Sequence, residues 1–145
     1  MKFSARSQYA LEAMLALVPA QNGQPIQVRN ISRDHGIPVR FLEQIMASLK
    51  KAGLVKSVRG ARGGYLLGSP STAIRVSQIL QAVEGPFREE RPTEDEPVPA
   101  STEVIHTLWE EAQDTVRNLF ASISLEDLSK RKASIEGART LMYHI

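Results

Sequence analysis

Residues 37–67 read IPVRFLEQIMASLKKAGLVKSVRGARGGYLL, and the way this stretch divides decides the fold. Pro38 suits the first position of a helix, because its fixed φ is already helical and its missing N–H is not needed there. From it, Phe41, Leu42, Ile45, Met46 and Leu49 recur at three- and four-residue steps, predicting an amphipathic helix that runs until Gly53. Residues 54–58 then alternate as a strand, residues 59–64 read as a glycine-rich turn, and residues 65–67 resume a strand. The product is a helix followed by a β-hairpin with Arg59 and Arg62 at its tip. A glycine-rich loop that cradles a nucleotide phosphate leads instead into a helix N-terminus, and here the sequel is a strand.

Upstream, residues 28–35 form a short predicted helix with Val28 and Ile31 one turn apart, closed by Gly36, which tolerates the left-handed backbone of a helix C-terminus. Two short helices joined at Gly36, the second opening on exposed polar residues, match a helix-turn-helix. An earlier helix begins at a Ser4 cap, buries Tyr9, Ala10, Ala13, Met14 and Leu17, and ends at Pro19 and the turn cluster of residues 21–25.

Downstream, Val76, Ile79, Leu80 and Val83 mark a helix closed by Gly85 and Pro86. Residues 86–101 carry four prolines and the acidic run 93–96, which predicts an exposed loop. From Thr102, with Thr102 or Ser101 as cap, Ile105, Leu108, Trp109, Ala112, Val116, Leu119 and Phe120 mark a long amphipathic helix. A cap at Ser124 opens a short helix with Leu125 and Leu128. The basic tail of residues 130–145 is compatible with either a helix or a frayed end. The expected organisation is therefore a domain over residues 1–85, an acidic loop over 86–101, the long helix and a short one over 102–129, and the tail. The fold class is mainly α with a small β-hairpin.

The 145 residues are 42% hydrophobic, enough for one cored domain with an appendage. No apolar run reaches the length of a membrane span, and residue 1 onward lacks the pattern of a secretory signal, so the expected location is the cytoplasm. The absence of cysteine excludes disulfides, thiolate nucleophiles and thiolate-ligated metals. His35, His106 and His144 lie far apart, which gives a zinc hydrolase no ligand set. The formal charge of +2 conceals a block asymmetry. Residues 1–67 hold ten Lys/Arg against three Asp/Glu, and residues 86–129 hold three against eleven. Such a division suits a basic module facing a polyanion on an acidic body, and suits equally two solvated faces.

On the predicted helix at Pro38, the apolar residues hold while Arg40, Glu43 and Gln44 reach outward. In a major groove Arg40 has the geometry for guanine, Glu43 for a cytosine amino group and Gln44 for adenine, each good contact discriminating by roughly 1–3 kcal/mol. Taken alone, these residues equally describe the solvated face of an ordinary helix. The following hairpin tips the balance, because Arg59 and Arg62 beside glycines suit close approach to phosphates or entry into a minor groove. Lys50, Lys51 and Lys56 suit phosphate neutralisation, and Arg6, Gln8 and Arg29 either backbone donation from helix N-terminal regions or plain surface.

Residues 4–17, 37–49, 52–55, 57–60, 63–67, 79–83, 106–109 and 124–125 together resemble the Rrf-type winged helix-turn-helix transcription regulators, over nearly the whole chain except the tail. The resemblance implies a homodimer held mainly by the long helix, a recognition helix at Pro38 in the major groove and the hairpin as a wing in the minor groove. Arg40, Glu43 and Arg59 fall at matching positions for base or groove readers. Several members of the family bind an iron–sulfur cluster through three cysteines before the long helix, with a histidine beside the last. This chain keeps His106 but has no cysteine, so no such cofactor is expected and His106 reads as a surface or interface residue. Sensing through a regulatory protein or a small-molecule effector is then implied.

The expected function is thus a sequence-specific regulator of transcription, in the repressor role, that binds double-stranded DNA as a homodimer on a near-palindromic operator. The apolar helix supports the dimer independently, since so small a body cannot cover it. Two other readings stand beside it: a winged-helix protein-interaction module that never touches DNA, and an enzyme using carboxylates of residues 89–96. The second lacks a buried setting in which two carboxyl pKa values could diverge.

Overall fold

The computed structural model describes residues 3–86 and 97–144, which contain six α-helices and one two-stranded antiparallel hairpin. Helix α1 (Ala5–Leu17) starts where Ser4 Oγ accepts from the Ser7 N–H at 3.1 Å, satisfying a donor that the first turn leaves unpaired. It buries Ala10, Ala13, Met14 and Leu17 along one stripe. A 3-10 turn (Val18–Asn22) with Pro19 follows.

Helix α2 (Val28–His35) ends at Gly36, whose φ of 64° is the left-handed conformation that the turn requires. The turn is locked twice: the Ile37 N–H donates to the Ser32 carbonyl at 3.1 Å, and Ser32 Oγ donates to the Ile37 carbonyl at 2.5 Å. Helix α3 (Val39–Lys51) buries Leu42, Ile45, Met46 and Leu49. Pro38 is its cap residue rather than its first helical residue, a shift of one position. Strands β1 (Val55–Val58) and β2 (Gly64–Leu67) pair antiparallel, Val55 opposite Leu67 and Val58 opposite Gly64. Leu54, expected in the first strand, instead closes the exit of α3 by donating to the Leu49 carbonyl at 3.0 Å. Ile26 and Tyr65 exchange both backbone hydrogen bonds, at 3.0 and 2.8 Å, so the approach to α2 lies along β2 as a one-residue third strand.

Helix α4 (Val76–Glu84) packs against α1 and α3, and the core gathers Met14, Leu17, Ile31, Leu42, Ile45, Leu49 and Ile79, all at most 1% exposed. Each such side chain contributes about 1.5–3 kcal/mol of burial. The described residues of the expected acidic loop are few, because residues 87–96 lie outside them, and with them all the carboxylates of the enzyme reading.

Helix α5 (Ala100–Ser122) begins before the expected site, with Pro99 rather than Ser101 or Thr102 at its cap. Helix α6 (Leu125–Tyr143) starts at Ser124 as expected, where Ser124 Oγ accepts from the Asp127 N–H at 3.0 Å and the Asp127 carboxylate accepts from the Ser124 N–H at 2.9 Å. It then runs nineteen residues, extending the expected short helix through the tail, where the helix rather than the frayed end is found. Residues 130–144 are exposed and show no buried stripe, which is why periodicity left them undecided. Local terms sustain the helix: no proline interrupts it, and Lys132 pairs with Glu136 one turn on, at 2.6 Å.

The start of α6 is fastened to the lead into α4. The Val76 N–H donates to the Ile123 carbonyl at 2.9 Å and the Leu125 N–H to the Ile74 carbonyl at 2.8 Å, with the Leu125 side chain fully buried beneath. Phe120 of α5 meets Phe3 edge to face at 5.8 Å. No helix among the described residues is long and apolar enough to cross a membrane.

Candidate nucleic-acid interface

Because Leu42, Ile45, Met46 and Leu49 face the core, helical geometry turns Arg40, Glu43, Gln44, Ala47 and Lys51 outward along the opposite face. All five are exposed, as is Lys50. Phe41 is half-buried and stacks edge to face on Tyr9 of α1 at 5.6 Å, which fixes the first turn of α3 where Arg40 sits. Arg59, Arg62 and Lys56 of the hairpin are exposed too.

The hairpin's glycines divide by task. A Cβ on Gly63 would lie 2.2 Å from the Val58 carbonyl oxygen, and one on Gly64 2.4 Å from that of Ile26. The close backbone approach of these two is therefore consumed inside the wing. Gly60 faces open space and alone leaves the tip bare beside Arg59.

The three outlying candidates are placed less simply. Arg29 Nε donates to Gln27 Oε1 at 2.8 Å, and Gln8 Nε2 to Glu12 Oε1 at 3.0 Å, both on the surface. Arg6, expected at a DNA backbone or on plain surface, is half-buried with two nitrogens engaged inside the fold. Its Nε donates to the Val83 carbonyl at 2.8 Å and its Nη2 to Ser48 Oγ at 3.1 Å. Beside it the Glu84 carboxylate accepts from the Ser4 hydroxyl and, at 2.8 Å, from that of Ser7. The Ser4 hydroxyl foremost, with that of Ser7 and the Arg6 charge, holds the Glu84 carboxyl below its ordinary range against the opposing effect of desolvation.

Sequence reasoning passed over Gln27, Ser48 and Glu84. Gln27 Nε2 donates to the Ala61 carbonyl at 3.3 Å, tying the wing tip to the start of α2. None of these carries a local signal, because each acts through a partner 34 or more positions away in the chain.

On α5, Ile105, Leu108, Trp109 and Leu119 are 47–54% exposed, while Ala112, Val116 and Phe120 are half-buried. Ile105, Leu108, Ala112 and Leu119 stand at spacings that share one helical strip, adjacent to the face that meets the body. Val104, which was not anticipated, is exposed beside it.

A family model described as Rrf2, iron-dependent transcriptional regulator, matches residues 3–131. The HTH-type transcriptional regulator CymR of Bacillus subtilis is 38% identical over 129 residues, covering 89% of this chain and 90% of the relative. IscR of Xenorhabdus nematophila is 33% identical over 139 residues, covering 95% and 85%. Among solved structures, B. subtilis CymR superposes with a TM-score of 0.77 at 34% identity over 90% of this chain and 98% of its own. T. potens IscR gives 0.75 at 32% identity over 91% and 88%. The iron dependence in the family description calls for a donor set that can hold the metal. With no cysteine in the sequence and no grouping of three His, Cys, Asp or Glu side chains among the described residues, this chain does not fit a thiolate-ligated iron site. His106 stands half-buried on α5 without companion ligands of that kind.

Proposed function

The chain belongs to the Rrf2 family of transcriptional regulators, which are not enzymes, and from that premise we propose that it is a homodimeric, sequence-specific repressor of a near-palindromic operator. The carrying observation is that Arg40, Glu43 and Gln44 are all exposed on the α3 face opposite the core, with a hairpin bearing exposed Arg59 and Arg62 next in the chain. In this reading α3 enters the major groove with Arg40, Glu43 and Gln44 at base edges, and Arg59 and Arg62 of the wing take the adjacent minor groove. Lys50, Lys51, Lys56, Gln8 and Arg29 serve the phosphates.

The exposed strip of α5 supports the dimer: Ile105, Leu108, Trp109 and Leu119, with Ala112 between them, form a surface that a second copy would cover, flanked by half-buried Val116 and Phe120. Two recognition helices then address grooves roughly 34 Å apart. The protein acts on the nucleoid in the cytoplasm, and its signal is a regulatory protein or small-molecule effector rather than an iron–sulfur cluster.

Selection of bound duplexes from a random pool tests this. An enriched motif with two-fold symmetry is expected, its binding weakening steeply with salt; Arg59→Ala lowers affinity strongly, and Glu43→Ala changes the preferred sequence. Absence of any enriched motif overturns the proposal in favour of a protein-interaction module.

A further inference from the structure

Resting on the reading of α3 as the helix that enters the groove, we propose that Arg6 is a positioning residue for DNA recognition: without touching DNA, it fixes the attitude of α3 against α4 and so sets the operator specificity. The guanidinium stands in the first turn of α1 and reaches two other helices at once. Nε donates to the carbonyl of Val83 at 2.8 Å, in the last turn of α4, where carbonyls lack intrahelical partners and a cation is favoured by the helix dipole. Nη2 donates to Ser48 Oγ at 3.1 Å on α3, and that hydroxyl donates in turn to the backbone carbonyl of Gln44 at 3.2 Å. Gln44 and Ser48 are one turn apart on α3, so the chain of bonds ends on the backbone that carries a proposed base reader.

Between α1, α3 and α4 the remaining contact is chiefly apolar packing of residues such as Met14, Ile45 and Ile79, which is non-directional. The planar fork of an arginine is directional, and it spans all three. Glu84, held by Ser4 and Ser7 at the start of α1, places a negative charge near the guanidinium and keeps it there. Arg6 is half-buried, and two of its five guanidinium N–H donors are engaged inside the fold, which turns the fork toward α3 and α4. Lysine keeps the charge but not the fork, which separates positioning from a phosphate contact.

The test compares wild type, Arg6→Lys, Arg6→Met, Ser48→Ala and the double variant Arg6→Lys/Ser48→Ala. Each is titrated with the selected operator and with a random duplex over a range of salt. Positioning predicts that Arg6→Lys loses about tenfold in operator affinity, with the random-duplex affinity and the salt slope as in wild type. Ser48→Ala, which leaves the Arg6 charge and its bond to Val83 in place, shifts in the same direction. The double variant is no worse than Arg6→Lys alone. Thermal unfolding of each variant accompanies the titrations, and Ser48→Ala carries the test if the Arg6 variants do not fold.

An Arg6→Lys variant with wild-type operator affinity overturns the proposal. So does an Arg6→Met variant that weakens both duplexes equally and reduces the salt slope by about one, the mark of a lost phosphate contact. An unaltered specificity ratio in Ser48→Ala also overturns it. A wild type that discriminates no duplex from another is a distinct result: it removes the operator reading itself before any substitution is made, and this proposal with it.

Discussion

Gln27 Nε2 donates to the carbonyl of Ala61 at 3.3 Å, joining the residue that precedes α2 to the tip of the wing. With the Ile26–Tyr65 backbone pair, it gives a hairpin of two four-residue strands a second attachment to the body. Short two-stranded hairpins are marginal in water, so the wing depends on this support. Gln27→Ala is expected to cost no more than about 1 kcal/mol of global stability, since the bond is exposed. Operator affinity falls several-fold all the same, and amide exchange quickens at residues 59–63. Unchanged exchange in that turn would show that the bond does not hold it.

Gly64→Ala tests the same joint from the other side. A Cβ there meets the Ile26 carbonyl oxygen at 2.4 Å, on a backbone with φ of +153°. A loss of more than about 2 kcal/mol is expected in urea unfolding. Gly60→Ala, facing open space at φ +114°, pays only the conformational strain and is the milder of the two.

Glu84 makes stability dependent on acid. Its carboxyl pKa is depressed by Ser4, Ser7 and Arg6, so the stabilisation is complete above the ordinary value of 4.5 and is lost as pH falls through the lower folded value. Exposure limits it to about 1 kcal/mol or less. Comparing urea midpoints of wild type and Glu84→Gln, we expect a constant gap at neutral pH that closes on the acid side. A gap that widened toward low pH would refute the assignment.

The proposed dimerisation through α5 predicts that Leu108→Glu yields a folded monomer. Leu108 is 52% exposed within one chain, so the charge is tolerated there but not beneath a second copy. Sedimentation should show the halved mass, with helical circular dichroism retained and operator affinity lost. A dimer that survives both this change and Trp109→Glu would place the contact elsewhere.

Iron should leave the protein indifferent. After anaerobic incubation with iron and sulfide we expect no visible charge-transfer absorbance, and operator affinity equal with and without chelator. A coloured, iron-responsive protein would overturn this, since the cysteine-free sequence supplies no thiolate to hold a cluster.

The local features of this fold are legible in the sequence. The stripe of Leu42, Ile45, Met46 and Leu49, the Gly36 turn and the Ser124 cap each report their own neighbourhood, and each stands where the pattern puts it. Boundaries set by competing local preferences moved: Pro38 caps α3 rather than entering it, and α5 opens at Ala100. The second half of α6 was illegible for a different reason. Helicity there rests on propensity and on the Lys132–Glu136 pair, with no buried face to imprint a period. Of the site, the outward residues of α3 followed from the inward ones. The pairings of Arg6 with Ser48 and Val83, and of Gln27 with Ala61, are products of tertiary approach that no spacing encodes.

The two backbone bonds that link Ile74 and Val76 to Ile123 and Leu125 have a mechanical consequence. They weld the far end of a 23-residue rod to the lead-in of α4, the helix whose last turn Arg6 grips. Torque on the rod would therefore bear on the root of α4 through these two bonds.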